Sequence, residues 1–255
     1  MCLILIAWRA HPEYPLVVAA NRDEYHARPS APAAFWDDRP AILAGRDLEA
    51  LGTWLGVTRR GKFAAVTNYR DPRDMAASGS ASRGSLVSRY LENGDAAAEF
   101  VSVAAKDGEA YRGFNLLAAD RSELWWTSNR GNGAQRLAAG IYGLSNHLLD
   151  TAWPKVERGK RALRDALRGT PAIETLFELI ASTDAADDSE LPDTGVGLER
   201  ERMLSAMRIV SPSYGTRCST VLVQGRDGRV QFAERLFTPE GEATDTLRYE
   251  FGLSA

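Results

Sequence analysis

The opening run CLILIAW, Cys2 to Trp8, is apolar throughout, the pattern of a strand buried on both faces. A second run, Leu16 to Ala20, leads without a turn into the polar stretch NRDEYHARP. It therefore delivers Asn21, Arg22, Asp23 and Glu24 to the end of a strand beside the first. AILAG follows, then TWLGVTRRGKFAAVTNY, whose two β-rich arms around Arg59-Arg60-Gly61 predict a hairpin ending at Asn68. Asp71 to Ser82 has loop chemistry. Two helices are expected next, SRGSLVSRYLEN capped by Ser82 and DAAAEFVSVAAKDG capped by Asp95, with Leu86, Val87 and Tyr90 and then Phe100, Val101 and Ala104 as buried stripes.

Strand character returns in FNLLAAD, SELWWTSN, AQRLAAG and IYGLSN. In the second of these, Trp125 and Trp126 point to opposite faces, one into the core. A helical block from Trp153 to about Ser182 is broken at Gly169-Thr170-Pro171. Its basic part, KVERGKRALRDALR, reads as a solvated outer face held by Val156, Leu163 and Leu167. The acidic stretch STDAADDSELPDTGVG is a surface loop. Helix LERERMLSAMR and the hairpin TRCSTVLVQ/RVQFAERLF close the chain. The order predicts an α+β fold of antiparallel sheets with helices outside, built as one domain over residues 1–255.

Composition narrows the classes. The chain has 255 residues, 44% hydrophobic and 25% charged, and its net charge of -3 gives no general reason to hold nucleic acid or an anionic membrane surface. Cys2 and Cys218 are too few for a disulfide framework, and the apolar run before Arg9 is too short for a signal peptide. No window is apolar for long enough to span a bilayer, so cytoplasmic residence is expected. GxGxxG, P-loop and GxSxG patterns are absent. The three histidines, His11, His26 and His147, lack zinc spacing, so no metal site is expected.

Cys2 is the residue with most chemical promise. Removal of Met1 would give it an α-amine of unperturbed pKa about 7.7–8.0, a base near the operating pH for its own thiol. A structural cysteine is the blander alternative. Asp23 could hold that amine, or sit in an exposed turn with Arg22 as its ion partner. If the strand is extended, Asn21 and Asp23 share one face and Arg22 and Glu24 the other. Asn68 and Asn146 end strand-like runs, where their amides can donate to a developing oxyanion or simply shape turns. Arg217 could favour a Cys2 thiolate or bind a carboxylate.

Taken in order, MC, NRDE, TNYRDP, GLSN and GTRCSTVLV resemble the NRDE family, also called the transport and Golgi organisation protein 2 family, which is similar to N-terminal-nucleophile hydrolases. The resemblance runs through most of the chain and implies a four-layer αββα sandwich. It is nearest the choloylglycine hydrolase and penicillin acylase branch. That implies a cysteine amidohydrolase with Cys2 as nucleophile, Asp23 orienting its amine, Asn146 at the oxyanion and Arg217 as electrostatic partner of the thiol. Asn21, Arg22 and Asn68 would contact a small-molecule acyl amide, and no cofactor is needed. That branch has an arginine three residues before the aspartate, where this chain has Ala20, with Arg22 on the parity opposite to Asp23. Relatives are also linked to haem trafficking and to lipid or acyl-coenzyme A metabolism. They imply, as an alternative, a non-catalytic carrier of haem or acyl-lipid, with His26 and His147 as candidate axial ligands.

Overall fold

The computed structural model describes residues 2–72 and 81–254. Met1 and residues 73–80, which hold most of the expected Asp71–Ser82 loop, lie outside the described residues. The chain divides into two compact units. The first comprises Met1–Arg28, Ala139–Ser145 and Leu149–Phe251, the second Pro29–Ala138, Asn146–Leu148 and Gly252–Ala255.

The first unit is a six-stranded antiparallel sheet. Its strands are β1 (Cys2–Trp8), β2 (Leu16–Tyr25), β10 (Gly140–Leu144), β11 (Tyr214–Gln224), β12 (Arg229–Phe237) and β13 (Ala243–Gly252), in the order β10-β1-β2-β11-β12-β13. The apolar run of β1 lies between two strands, and β2 continues through the NRDE segment because β11 pairs with it as far as Tyr25. Residues of one parity, Leu3, Leu5, Ala7, Val17, Ala19, Val221 and Val223, form a core with α3 (Pro154–Ala166) and α4 (Ile173–Glu178). Helix α5 (Leu198–Ser205) completes this unit. β13 was not foreseen. It is an edge strand with mostly exposed side chains, and so lacks the alternation that marks a strand in sequence.

The second unit is a seven-stranded antiparallel meander, β3 to β9 in sequence order: β3 (Ser30–Trp36), β4 (Arg39–Asp47), β5 (Leu55–Thr58), β6 (Phe63–Asn68), β7 (Phe114–Ala119), β8 (Leu124–Ser128) and β9 (Gln135–Leu137). β3 also escaped the sequence pattern. Pro32 interrupts it, which an edge position tolerates. Helices α1 (Gly84–Glu92) and α2 (Ala97–Lys106) cover one face through Leu86, Val87, Tyr90, Phe100, Val101 and Ala104. Trp125 packs on that helical side, while Trp126, also largely buried, takes the opposite face.

Neither expected cap holds. Arg83 and Ala96 occupy the cap positions without side-chain caps. Instead, Asp120 in the β7–β8 turn accepts from the Ala97 N–H across the unit, and from Ser122 and Glu123. Burial pushes its carboxyl up, but these hydrogen bonds outweigh it and hold Asp120 below the usual carboxylate range. Such a group stabilises the fold above its ordinary pKa and loses that contribution as pH falls through the lowered value. We expect Asp120→Ala to cost about 1–2 kcal/mol at neutral pH in urea melts, with the deficit shrinking in acid.

Helix α3 approaches β1 closely at Gly159, where a Cβ would stand 2.6 Å from Leu5 Cδ1. Alanine gains about 1 kcal/mol of helix propensity over glycine. The clash outweighs that gain, because Leu5 is fully buried and cannot retreat. Gly159→Ala should therefore lower stability by about 1–3 kcal/mol in a denaturant melt.

Candidate active site

The site is built on β2, which pairs with β1 and β11. Cys2 is opposite Arg22 on one side, and Cys218 is opposite Arg22 on the other. All three side chains therefore project from the same sheet face. Two strand spacings of about 4.8 Å put the backbones of the cysteines roughly 9.6 Å apart. A disulfide spans at most about 7 Å between Cα atoms, so the row that holds these thiols also keeps them from bridging. Cys2 is 8% exposed, its carbonyl accepts from Ser145 Oγ at 3.0 Å, and its sulfur receives a hydrogen bond from the backbone N–H of Asp23.

Burial pushes the Cys2 thiol up. The positive amino terminus of the chain and Arg22 oppose that rise, and the Asp23 charge adds to it. Cys218 is pushed up further, by burial and then by the Glu234 carboxylate beside it. Cys2 is thus a thiol at neutral pH, and its nucleophilic use requires a base.

Asp23 has the parity of Asn21, opposite to Arg22, as an extended strand requires. Because β1 and β2 are antiparallel, Asp23 lies beyond Arg22 on the side of the Cys2 backbone nitrogen. Its carboxyl, in a residue 2% exposed, accepts from Thr216 Oγ1 at 2.6 Å, and Thr216 Oγ1 accepts from Ile209 N–H at 2.8 Å. That second bond fixes the hydroxyl proton on Asp23. Burial raises the Asp23 carboxyl, while the positive amino terminus, Lys155, Thr216 and Arg22 pull it down.

Two carried-over roles do not match the geometry. Thr216 and Cys218 face consecutive residues of β2, so Arg217 is the extra residue of a β-bulge. Its Nη1 donates to the carbonyls of Tyr25, His26 and Arg28, each at 3.1 Å, and the guanidinium set beside the Cys2 thiol is that of Arg22. Asn21, expected to contact substrate, is fully buried on the face opposite Cys2. Its Nδ2 donates to Ile180 O and Met207 O, and its Oδ1 accepts from Ser219 Oγ.

In the second unit, Asn68 and Asn146 come together. Asn146 Nδ2 donates to Asn68 O at 2.9 Å, and Asn146 O accepts from Arg70 N. Tyr69 OH and His147 Nε2 are 2.7 Å apart, and burial and then Arg70 lower the pKa of His147. His26 Nε2 lies 3.0 Å from Ser211 O. Both imidazoles of the haem expectation therefore hold protein partners at Nε2, and axial coordination there would have to break one of these bonds. Among the described residues, no group of three or more His, Cys, Asp or Glu is placed to hold a metal ion. No helix of the described residues is long and apolar enough to cross a membrane.

Sequence reasoning missed Ser145, Thr216 and Lys155. Lys155 is buried although it belongs to the helix read as a solvated face. The signal was present, because Lys155, Gly159 and Leu163 recur at helical spacing on one stripe.

Across its length the chain shares its fold with the mutant C2A of a conjugated bile acid hydrolase from Clostridium perfringens. The match covers 100% of this chain and 98% of that one, with TM-score 0.52 and 9% identity. The class is thus the α+β fold of N-terminal-nucleophile hydrolases. Within it, the chain belongs to the Transport and Golgi organisation 2 family, whose model matches residues 1–239. It is similar to the Transport and Golgi organization protein 2 homolog of Homo sapiens, 36% identical over 279 residues and 100% of both chains. The Transport and Golgi organization protein 2 of Drosophila melanogaster is 27% identical over 282 residues and 96% of each.

The Thr216 hydroxyl joins the buried Asp23 carboxyl to the buried Ile209 N–H. Thr216→Val should cost about 1–3 kcal/mol in a urea melt, with most of the loss recovered in Thr216→Ser.

Proposed function

We propose that the chain is an N-terminal cysteine amidohydrolase that cleaves a small N-acyl amide through a Cys2 thioester. The observation that carries this reading is the placement of Cys2. Its sulfur meets the Asp23 N–H, the Arg22 guanidinium shares its row, and the Asp23 carboxylate lies toward its nitrogen. Once Met1 is removed, that nitrogen is an amine, and Asp23 can orient it. The raised thiol demands such a base. The amine takes the Sγ proton as sulfur attacks the amide carbonyl. Collapse of the adduct breaks the C–N bond and returns the proton to the leaving amine. Water then cleaves the thioester, releasing a carboxylic acid and restoring the thiol.

The substrate class is supported by the similar fold of the conjugated bile acid hydrolase, whose C2A variant replaces a cysteine at the second position.

Intact mass of the purified protein should show loss of Met1, and iodoacetamide should label Cys2 well before Cys218. On a panel of N-acyl aminomethylcoumarins with short to long acyl chains, Cys2→Ala should lower kcat by roughly a thousandfold or more. Retained Met1, or turnover that survives Cys2→Ala, overturns the mechanism.

A further inference from the structure

The proposed chemistry needs Asp23 as an anion, yet burial drives that carboxyl toward its neutral form. The groups that act on it are Arg22 on its own strand, Cys2 on β1, Thr216 on β11, the chain's amino terminus and Lys155 on α3. On α5, the buried carboxylate of Glu201 accepts from Thr194 N and Oγ1. Lys155 stands out among these. It is 2% exposed, and its Nζ donates to Leu204 O at 2.8 Å, at the C-terminal end of α5. Lysine is rarely buried without a compensating charge. Asp23 shares the sheet face on which α3 packs, since its parity is that of Asn21 and Ala19.

We infer that Lys155 is a positioning residue: tethered to the end of α5 by the Leu204 carbonyl, its ammonium is the fixed buried charge that keeps Asp23 anionic beside the nitrogen of Cys2. Thr216 orients the carboxylate through one hydrogen bond, and Lys155, after the amino terminus, supplies the positive charge that opposes its neutral form. The helix that reads in sequence as a solvated basic face thus acts inward through one residue. The consequence for catalysis rests on the hydrolase reading; the electrostatic link between Lys155 and Asp23 does not.

The test uses the full chain without substrate. Aspartate carboxyls labelled with ¹³C are titrated in the parent, Lys155→Met and Lys155→Arg, with the Asp23 resonance assigned by its loss in Asp23→Asn. Lys155→Met should raise the Asp23 midpoint by about one unit or more, and Lys155→Arg should bring it back toward the parent. A purely structural lysine would leave the midpoint where it is, and that result overturns the inference. If Lys155→Met does not fold, the double variant Lys155→Met/Asp23→Asn decides. Recovery of a cooperative melt shows that the uncompensated carboxylate was at fault, and continued failure to fold overturns the inference. An inactive chain can pass this test, and an active chain can fail it, so the two readings fall separately.

Discussion

A carboxylate buried beside a strand terminus is the constraint around which the first unit is arranged. Removing Asp23 from water carries a cost of several kcal/mol for the ionised form unless charge and hydrogen bonds replace the solvent. The replacements come from every direction: a hydroxyl from β11, a guanidinium from its own strand and an ammonium from α3. Each is itself fixed, Thr216 by Ile209 N–H and Lys155 by Leu204 O. Thr216 and Lys155 are distant in sequence, so the carboxylate ties together the sheet, α3 and the end of α5. The orientation of the carboxylate is thus fixed by the fold itself.

Strand alternation divides the labour on β2. Asn21 and Asp23 face the helices, where Asn21 satisfies the carbonyls of Ile180 and Met207. Arg22 faces the other way, between two thiols. One strand therefore carries polar groups to both faces of the sheet, Asn21 and Asp23 to one and Arg22 to the other. Asp23 lies beyond Arg22 on the side of the Cys2 nitrogen, while Arg22 acts on the Cys2 sulfur. Burial outweighs the amino terminus and the guanidinium, so the sulfur rests as a thiol.

What was legible in the sequence was periodic or local. The apolar run of β1, the parity of Asn21 to Glu24 and the helix stripes of α1 and α2 follow from spacing alone, and the structure repeats them. What was not legible depended on partners far along the chain. Arg217 was assigned to the thiol because a bulge has no signature in residue type. One extra residue re-aims the side chain toward Tyr25, His26 and Arg28. Asn21 reads as a site residue because it adjoins Asp23, and only the positions of Ile180 and Met207 show its structural use. The helix caps failed for the same reason, since the carboxylate at the start of α2 comes from Asp120, over twenty residues downstream.

The two asparagines of the second unit are chemically unequal, and that inequality bears on what each can do. Asn146 is fully buried and gives an Nδ2 hydrogen to the Asn68 carbonyl, which fixes its amide orientation. Its backbone carbonyl is held by Arg70 N, so the segment is clamped at both the main chain and the side chain. Asn68, half-buried at the end of β6, accepts that bond through its backbone only, and its side-chain amide makes no hydrogen bond among the described residues. Asn146 is therefore held through both its main chain and its side chain, and Asn68 through its main chain alone. The same backbone carbonyl that orients Asn146 belongs to Asn68, and a change that displaces the end of β6 therefore disturbs both at once.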